Sequence, residues 1–330
     1  QFLYFIGIQA LPLATMQAQL LALSKAIEMP DAVMYGIAEK TWGVFGPAAT
    51  MFDGVVRQVA PAAIQAVDSY VDSHIHPMSK KLPLMTATNV AFASVLYLIV
   101  IAALYPVGQL IGKRTIKGFS TLHNLFLFLL SLYMWGGILI TAAANGFTLW
   151  NNAVGSGDNA WRMAKLIWIF YVSKLPEFID TVIMMLKHNY RQVSFLHLYH
   201  HGTIFVIWFI VTMEGPGGDA YFSAMLNSGV HVVMYGYYFG TAVFATGPIR
   251  RFLNSIKFFI TYGQMTQFAT NCVQSTYLLV IVEHARYPKH LIHLLLWYMF
   301  TLLALFGNFL VKNKAAAKKE KAAKKAAKKD

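Results

Sequence analysis

The stretch HLYHHGTIFVIWFIVTM, residues 197–213, carries three histidines at the start of a long apolar run. From residue 202 to residue 213 it contains no charged side chain. With the residue before it, the stretch is long enough to cross the roughly 30 Å hydrocarbon core of a bilayer. Histidines in such a segment face a protein interior or a wet cavity rather than lipid. The stretch therefore predicts a transmembrane helix with chemistry at one end.

The composition is that of an integral membrane protein. Hydrophobic residues make up 57% of the 330-residue chain and charged residues 12%, with a mean hydropathy of +0.50, whereas soluble domains carry about 25% charged residues. More than half of the net charge of +13 comes from the tail after residue 311, where nine lysines face Glu320 and Asp330. One low-complexity tail is typical of a solvated or membrane-surface segment, so we expect no nucleic-acid partner.

Seven stretches are long and apolar enough to span a bilayer. Basic residues follow the first, third, fifth and seventh, whereas glycine and acidic residues follow the second and fourth. By the positive-inside rule this alternation predicts a cytosolic C-terminus; Lys80 and Lys81 do not fit it. The predicted spans are 90–112, 122–143, 164–186, 196–213, 221–243, 253–282 and 291–311, and the orienting residues are Lys113, Arg114, Lys117, Lys187, Arg191, Arg250, Arg251 and the lysine tail.

Composition divides the chain into three parts. Residues 1–88 contain no clear span, and a leftover targeting segment, an interfacial helix and an eighth span all remain open for them. Residues 89–312 hold the seven predicted spans, and residues 313–330 form a Lys/Ala-rich tail. The sequence assigns no function to residues 1–88.

Four of the predicted spans carry polar side chains at intervals of three and four residues, which places each set on one helix face. Three ionisable groups in the third span would together cost roughly 8–10 kcal/mol if they faced lipid, so we expect the four faces to line one chamber. Taken singly, the glutamines also fit interhelical hydrogen bonds, and His231 fits a hydrogen-bonded core histidine. The sets are Lys174, Glu177, Asp180 and Thr181; His197, His200 and His201; Asn227, His231, Tyr235 and Tyr238; and Thr261, Gln264, Gln267 and Asn271.

Three roles are open for the histidine cluster: metal binding, proton transfer and nucleophilic attack. An HxxHH motif also occurs in membrane di-iron desaturases and hydroxylases, but those proteins need several such boxes and this chain has one. His290 and His293 begin the seventh span, on the opposite side of the membrane from the motif. Cys272 is the only cysteine, which disfavours a catalytic thiol and a Cys-based metal site. We expect no metal, with a di-iron desaturase or hydroxylase as the alternative.

Four blocks, KLPEFIDT (174–181), FLHLYHH (195–201), HVVMYGYYF (231–239) and TYGQMTQF (261–268), resemble in order and spacing the signature blocks of the ELO family. This family comprises the fatty acid elongases of the endoplasmic reticulum, and the resemblance covers residues 90–312. It implies an all-α membrane protein with about seven transmembrane helices enclosing an acyl-chain tunnel. It also implies condensation of a long-chain acyl-CoA with malonyl-CoA to a 3-ketoacyl-CoA two carbons longer, with release of CO2 and CoA.

The resemblance also implies roles for the polar residues. His200 is expected to accept the acyl group as an acyl-imidazole. Three further histidines, His197, His201 and His231, are expected to act as base, orienting group or support for malonyl decarboxylation. The remaining roles are substrate binding for Asn227, Tyr235, Gln264, Gln267, Lys187, Arg191 and Gln192, and formation of the chamber wall for Lys174, Glu177, Asp180 and Thr181.

The resemblance extends to substrates, partners and location. Gln192, five residues before His197, is similar to the residue in elongases of polyunsaturated chains, whereas His123 and Asn124 replace a Tyr-Asn pair common in the family. We expect acyl-CoA and malonyl-CoA as substrates, no bound cofactor, and membrane lipid around the protein. The implied partners are the 3-ketoacyl-CoA reductase, dehydratase and enoyl reductase of the elongation cycle; a homodimer is left open. The implied location is the endoplasmic reticulum membrane, although the terminal AAKKD lacks a strict dilysine signal.

Overall fold

The computed structural model describes residues 13–112 and 115–326, and within these ranges all regular structure is helical. The predicted topology markers Lys113 and Arg114 and the last residues of the lysine tail lie outside the described residues. The helices are α1 (Leu13–Ala26), α2 (Asp31–Val59), α3 (Pro61–His74), α4 (Ala87–Ile111), α5 (Lys117–Ala144), α6 (Gly157–Val172), α7 (Lys174–Leu186), α8 (Phe195–Glu214), α9 (Ala220–Val243), α10 (Gly247–Thr276) and α11 (Lys289–Ala326), with a 3-10 turn at Ser79–Lys81 and a π-helical turn at Tyr277–Ile281.

The all-α membrane class predicted from the sequence is confirmed. The predicted first, second, fourth, fifth and seventh spans coincide with α4, α5, α8, α9 and α11, and the sixth with α10 and its π-helical continuation. Within residues 13–112 and 115–326, four helical segments are long and apolar enough on their own to cross a membrane: Ala87–Leu110, Lys117–Ala144, Phe195–Glu214 and Lys289–Lys312.

The third predicted span, 164–186, is not one continuous helix. The chain forms α6 and α7 on either side of Ser173, whose hydroxyl donates a hydrogen bond to the carbonyl oxygen of Phe170 at 2.8 Å. Pro176 has no N–H with which to continue the helical hydrogen bonds of α6, and proline is tolerated in the first turn of a new helix. The break therefore follows from the Lys-Leu-Pro sequence, a signal that hydropathy alone does not register.

Helix α8 lies at the centre of the bundle and packs against α4, α6, α7 and α11, while α9 packs along the length of α5. Aromatic pairs join α6 to α8: the rings of Phe170 and Trp208 lie 4.4 Å apart, and those of Tyr171 and Phe205 stack at 5.0 Å. Helix α10 packs between α9 and α11. Helices α8, α9, α10 and α11 therefore surround a common interior space.

The segment before α4 is folded onto the bundle. Helix α1 packs on α5, where the hydroxyls of Ser24 and Thr141 are hydrogen-bonded at 2.9 Å, and α2 packs on α4, where the rings of Trp42 and Phe92 meet at 6.3 Å. In the portion of this segment that the structure describes, no helix meets the length and apolarity needed for a span. At the other end, the backbone of α11 continues as one helix through the predicted boundary at residue 313.

A buried ion cluster ties this segment to the bundle. The ammonium of Lys165 in α6 donates hydrogen bonds to Asp31 at 2.7 Å and to the carbonyl oxygen of Met29 at 3.0 Å, and it also pairs with Glu28. The Lys165 side chain is only 4% exposed. Because an isolated ammonium is costly to bury, the two carboxylates fix the link between α1 and α2 against α6.

Candidate active site

The polar faces predicted in the third, fourth and fifth spans contact one another inside the bundle, whereas no residue of the α7 set lines the cavity next to His200. At the base of α7, the ammonium of Lys174 donates a hydrogen bond to Glu177 at 2.7 Å, and both side chains are almost fully buried. Nδ1 of His231, on α9, lies 3.4 Å from the same carboxylate oxygen of Glu177. A residue predicted for the chamber wall therefore lies directly against one of the predicted catalytic histidines.

Asp180, one turn further along α7, connects three helices. One carboxylate oxygen lies 3.0 Å from Nε2 of His123 on α5, and the other accepts a hydrogen bond from the hydroxyl of Tyr235 on α9 at 2.7 Å. The sequence predicts that Tyr235 binds substrate, whereas in this structure its hydroxyl donates to Asp180. Its substrate-binding role stays a prediction.

Thr181 likewise connects neighbouring helices, in this case α7 with the histidine box on α8 and with α4. Its hydroxyl lies 2.7 Å from Nε2 of His197 and 3.0 Å from the hydroxyl of Tyr97 on α4. His201 lies next to this group, with its ring 4.4 Å from that of His197 and 6.4 Å from that of Tyr97. His197 and His201 therefore share the face of α8 that packs against α4 and α7, as their spacing of four residues requires.

His200 faces the other way, into a narrow cavity of about 60 Å³ between α8, α9, α10 and α11. The cavity wall follows α8 from His200 to Val211, which at the helical rise is about 16 Å. Nδ1 of His200 is buried without a hydrogen-bond partner. Of the three histidines in the box, His200 is the one that lines this cavity.

Two residues from loops, Asp219 and Tyr287, also line the cavity. Asp219, which lines it, accepts hydrogen bonds from the backbone N–H of Asn152 and of Asn151, both at 2.9 Å. Tyr287, also in the lining, donates a hydrogen bond to the carbonyl oxygen of Gly215 at 3.0 Å. The cavity is thus lined by His200 and by two loop residues, Asp219 and Tyr287, that hydrogen bonds hold in place.

One wall of the cavity is polar although the rest is apolar. Asn227 and Gln267, both predicted for substrate binding, line it together with His200. Gln274 continues the row along α10, and the carbonyl oxygens of Gln267 and Gln274 are buried without a partner. Unpaired buried acceptors are unfavourable by about 1–3 kcal/mol each. The cavity is therefore not lined by apolar side chains alone, because amide groups lie buried in its wall.

The other predicted binding residues lie away from this cavity. Gln264 contacts the sulfur of Met234 at 3.9 Å and is not part of the lining. Lys187, at the end of α7, donates a hydrogen bond to Ser120 at 2.7 Å, and partial burial lowers the pKa of its ammonium. The side chains of Arg191 and Gln192 are exposed on the loop before the histidine box. No contact recorded among the described residues brings these four to His200, and their substrate-binding roles stay predictions.

The sequence predicted no role for four residues that contact or line the candidate site. His123 contacts Asp180, and Tyr97 contacts Thr181. Gln274 and Asp219 line the cavity. The sequence feature that pointed to His123 is that His123 and Asn124 replace the Tyr-Asn pair common in the family. Gln274 follows Gln267 and Asn271 at the same helical spacing, so extending the polar face by one turn beyond Asn271 would have included it.

The donor geometry and the comparisons with known proteins bear on the class of protein. Within residues 13–112 and 115–326, no group of three or more His, Cys, Asp or Glu side chains has a geometry suited to a metal ion. The family model described as ELO, GNS1/SUR4 family, matches residues 82–323. The chain belongs to the ELO family. The match contains all four polar blocks and begins shortly before the predicted boundary at residue 89.

Individual ELO relatives are similar over most of the chain. Fatty acid elongase 6 of Leishmania major is 49% identical over 294 residues, which is 88% of this chain and 77% of that protein. Very long chain fatty acid elongase 5 of Tachysurus fulvidraco is 36% identical across 62% of this chain and 69% of that protein. Very long chain fatty acid elongase 2 of Mus musculus is 35% identical across 62% of this chain and 70% of that protein. These relatives give the desaturase alternative no support.

Proposed function

We propose that this ELO protein is a fatty acid elongase of the 3-ketoacyl-CoA synthase type. It condenses a long-chain acyl-CoA with malonyl-CoA and releases CO2 and CoA. The observation that carries the proposal is the orientation of His200, which lines a cavity that extends along α8 from His200 to Val211. An acyl chain inserted into this cavity would place its thioester carbonyl beside the imidazole of His200.

The first half-reaction is acyl transfer to His200. A lone pair of the neutral imidazole attacks the thioester carbonyl carbon, and the carbon–sulfur bond breaks to give an acyl-imidazolium and a CoA thiolate. The thiolate takes a proton through His231, which regains it from water. Glu177, Lys174, His231 and His197 lie close enough to His200 for their charges to act on its ring.

The second half-reaction forms the new carbon–carbon bond. Malonyl-CoA loses CO2, and the resulting enolate carbon attacks the acyl-imidazolium carbonyl and expels neutral His200. His231 lies against Glu177, whose negative charge is already compensated by Lys174. This arrangement holds the His231 ring in place without fixing a full ion pair, which suits a group that exchanges protons.

Amide groups in the cavity wall provide the remaining stabilisation. Asn227 and Gln267 line the same cavity as His200, and their N–H groups are the donors that we assign to the developing oxyanion. Lys187 and Arg191 lie beside the entrance to the histidine box, where we assign them to the phosphates of CoA. Gln264 is assigned a supporting contact between α9 and α10.

The same proposal includes the surroundings of the enzyme. We place the chain in the endoplasmic reticulum membrane with a cytosolic C-terminus, because basic residues follow alternate spans. Residues 89–312 form the elongase domain, residues 1–88 an N-terminal segment and residues 313–330 a cytosolic tail. Its product must be reduced, dehydrated and reduced again, so the three remaining enzymes of the elongation cycle are its partners; a homodimer is compatible with the sequence.

We extend the proposal to polyunsaturated acyl chains. Gln192 supports it by resemblance, and the amide row of Gln267 and Gln274 supports it physically, because N–H groups form weak hydrogen bonds with π electrons. The test compares saturated and polyunsaturated acyl-CoA of equal length in Gln267→Leu and Gln274→Leu, with Gln264→Leu as control. We expect the first two variants to lose preference for the polyunsaturated chain. Equal losses on both substrates would contradict the assignment.

The decisive test uses purified protein in detergent with acyl-CoA, with and without malonyl-CoA, followed by mass spectrometry of the intact protein and its peptides. We expect an acyl adduct on the HLYHH peptide that malonyl-CoA discharges to a product two carbons longer. His200→Ala should form neither adduct nor product. His284→Ala, at a side chain that is 90% exposed, serves as the matched control and should retain both.

Two outcomes would change the proposal. Elongation without an adduct would retain the reaction and assign His200 as a base rather than a nucleophile. An absence of elongation together with bound iron and oxygen-dependent modification of the acyl chain would favour the desaturase alternative.

A further inference from the structure

His123 is a buried histidine on α5 with a single polar partner. Its side chain is 5% exposed, its Nε2 lies 3.0 Å from Asp180, and its ring stacks on that of Phe119 at 6.2 Å. The Asp180 side chain is 16% exposed. A carboxylate in such surroundings needs a hydrogen-bond donor or a positive charge nearby. His123, on α5, supplies such a group to Asp180 on α7.

From Asp180, a series of side-chain contacts extends to His231, one of the proposed reacting groups. The second carboxylate oxygen of Asp180 accepts the hydroxyl proton of Tyr235, and the Tyr235 ring meets the His231 ring edge-on at 5.4 Å and 79°. His231 in turn lies against Glu177. His123 is thus linked to His231 through two intervening side chains on α7 and α9.

We propose that His123 is a positioning residue for the condensation step, an inference that rests on the proposed function. Its imidazole stabilises the Asp180 carboxylate by a hydrogen bond and, through Asp180 and Tyr235, holds the ring of His231. Without it, Asp180 keeps the hydrogen bond from Tyr235 but loses the donor on its other oxygen, and its negative charge is less well stabilised. Malonyl-CoA carries a carboxylate that an acyl-CoA lacks, so the loss of His123 affects malonyl-CoA more strongly than acyl-CoA.

Two substitutions separate this role from simple packing. His123→Phe keeps a ring of similar size against Phe119 but removes the N–H, whereas His123→Gln keeps an N–H donor. We expect His123→Phe to raise the KM for malonyl-CoA by about tenfold, consistent with loss of one charge-assisted hydrogen bond. The KM for acyl-CoA should stay nearly unchanged, and His123→Gln should retain most of the wild-type value.

A double variant tests the electrostatic part directly. Asp180→Asn removes the charge that His123 stabilises, so His123→Phe combined with Asp180→Asn should recover most of the lost malonyl-CoA affinity. Equal increases in both KM values, or equal behaviour of His123→Phe and His123→Gln, would overturn the inference and leave a packing role. If His123→Phe does not fold, His123→Gln and Asp180→Asn are compared on the same two constants. An inactive wild-type protein would instead refute the proposed function itself.

Discussion

The Lys174 ammonium lies 2.7 Å from a carboxylate oxygen of Glu177, and the two side chains are only 1% and 2% exposed. The ammonium also lies 4.1 Å above the ring of Phe170. Such a pair is stable as a unit, because each charge is the main compensation for the other in the buried surroundings of the two side chains. The pair therefore fixes the start of α7, immediately after the break that separates it from α6.

Removal of either partner alone should be strongly destabilising. Lys174→Met leaves Glu177 buried without its cation, and breaking a buried pair in this way lowers the free energy of unfolding by about 3–5 kcal/mol. The measurement is thermal unfolding in detergent, followed by tryptophan fluorescence. Lys174→Met combined with Glu177→Leu should regain much of the stability but not the activity, because His231 then lacks its neighbour. A double variant as unstable as the single one would contradict this explanation.

Thr181→Val should reduce turnover without altering the cavity. Valine preserves the shape of threonine but removes the hydroxyl that lies 2.7 Å from Nε2 of His197, so the orientation of that ring is no longer fixed. One neutral hydrogen bond contributes about 0.5–1.5 kcal/mol, which corresponds to a decrease of about threefold to tenfold in kcat. Thr181→Ser keeps the hydroxyl and should remain near wild type; steady-state kinetics of both variants decides between orientation and packing.

The length of the acyl chain accepted should depend on Val211. This residue lines the far end of the cavity, so Val211→Phe fills space that the end of a long chain would occupy. We expect the product distribution to shift to shorter chains, as measured by gas chromatography of the products. Val206, on the same helix but 36% exposed and outside the lining, provides the control: Val206→Phe should leave the distribution unchanged. An identical shift in both variants would argue against the cavity as the acyl site.

The N-terminal helices should loosen when Lys165 is replaced. Lys165→Met removes the cation that pairs with both Glu28 and Asp31. Glu28 then keeps Arg162 of α6 at 3.6 Å, whereas Asp31 loses its ion pair with α6. We expect faster proteolytic cleavage between α1 and α2, measured by limited proteolysis and mass spectrometry.

The control for this prediction is Arg57→Met. Arg57 pairs with Asp53 and Asp68, but its side chain is 47% exposed, and exposed pairs contribute about 0–1 kcal/mol. Cleavage should therefore stay close to that of the wild type. Protection of the α1–α2 link in Lys165→Met would show that the remaining contacts, among them the Ser24–Thr141 hydrogen bond, hold the segment without Lys165.

Much of the fold was predictable, because lipid imposes a strong constraint on sequence. Long apolar runs located α4, α5, α8 and α11, and the polar faces of the remaining spans indicated an interior chamber. The break at Ser173 was missed because hydropathy averages over a window that includes Pro176 without registering its missing N–H. The packing of α1–α3 was also missed, because it depends on contacts such as that of Lys165 with Asp31, which are far apart in the sequence.

By itself, the sequence determined the helical membrane class, the four polar blocks and the ELO resemblance, because hydropathy and helical spacing are local properties. It could not determine that His200 faces the cavity while His197 and His201 face α4 and α7. Residues at i, i+3 and i+4 of a helix lie close together on its surface, so their spacing does not distinguish the neighbour that each meets. Only the packing of α8 between α7 and α11 decided that, and the same packing made His123 a partner of Asp180.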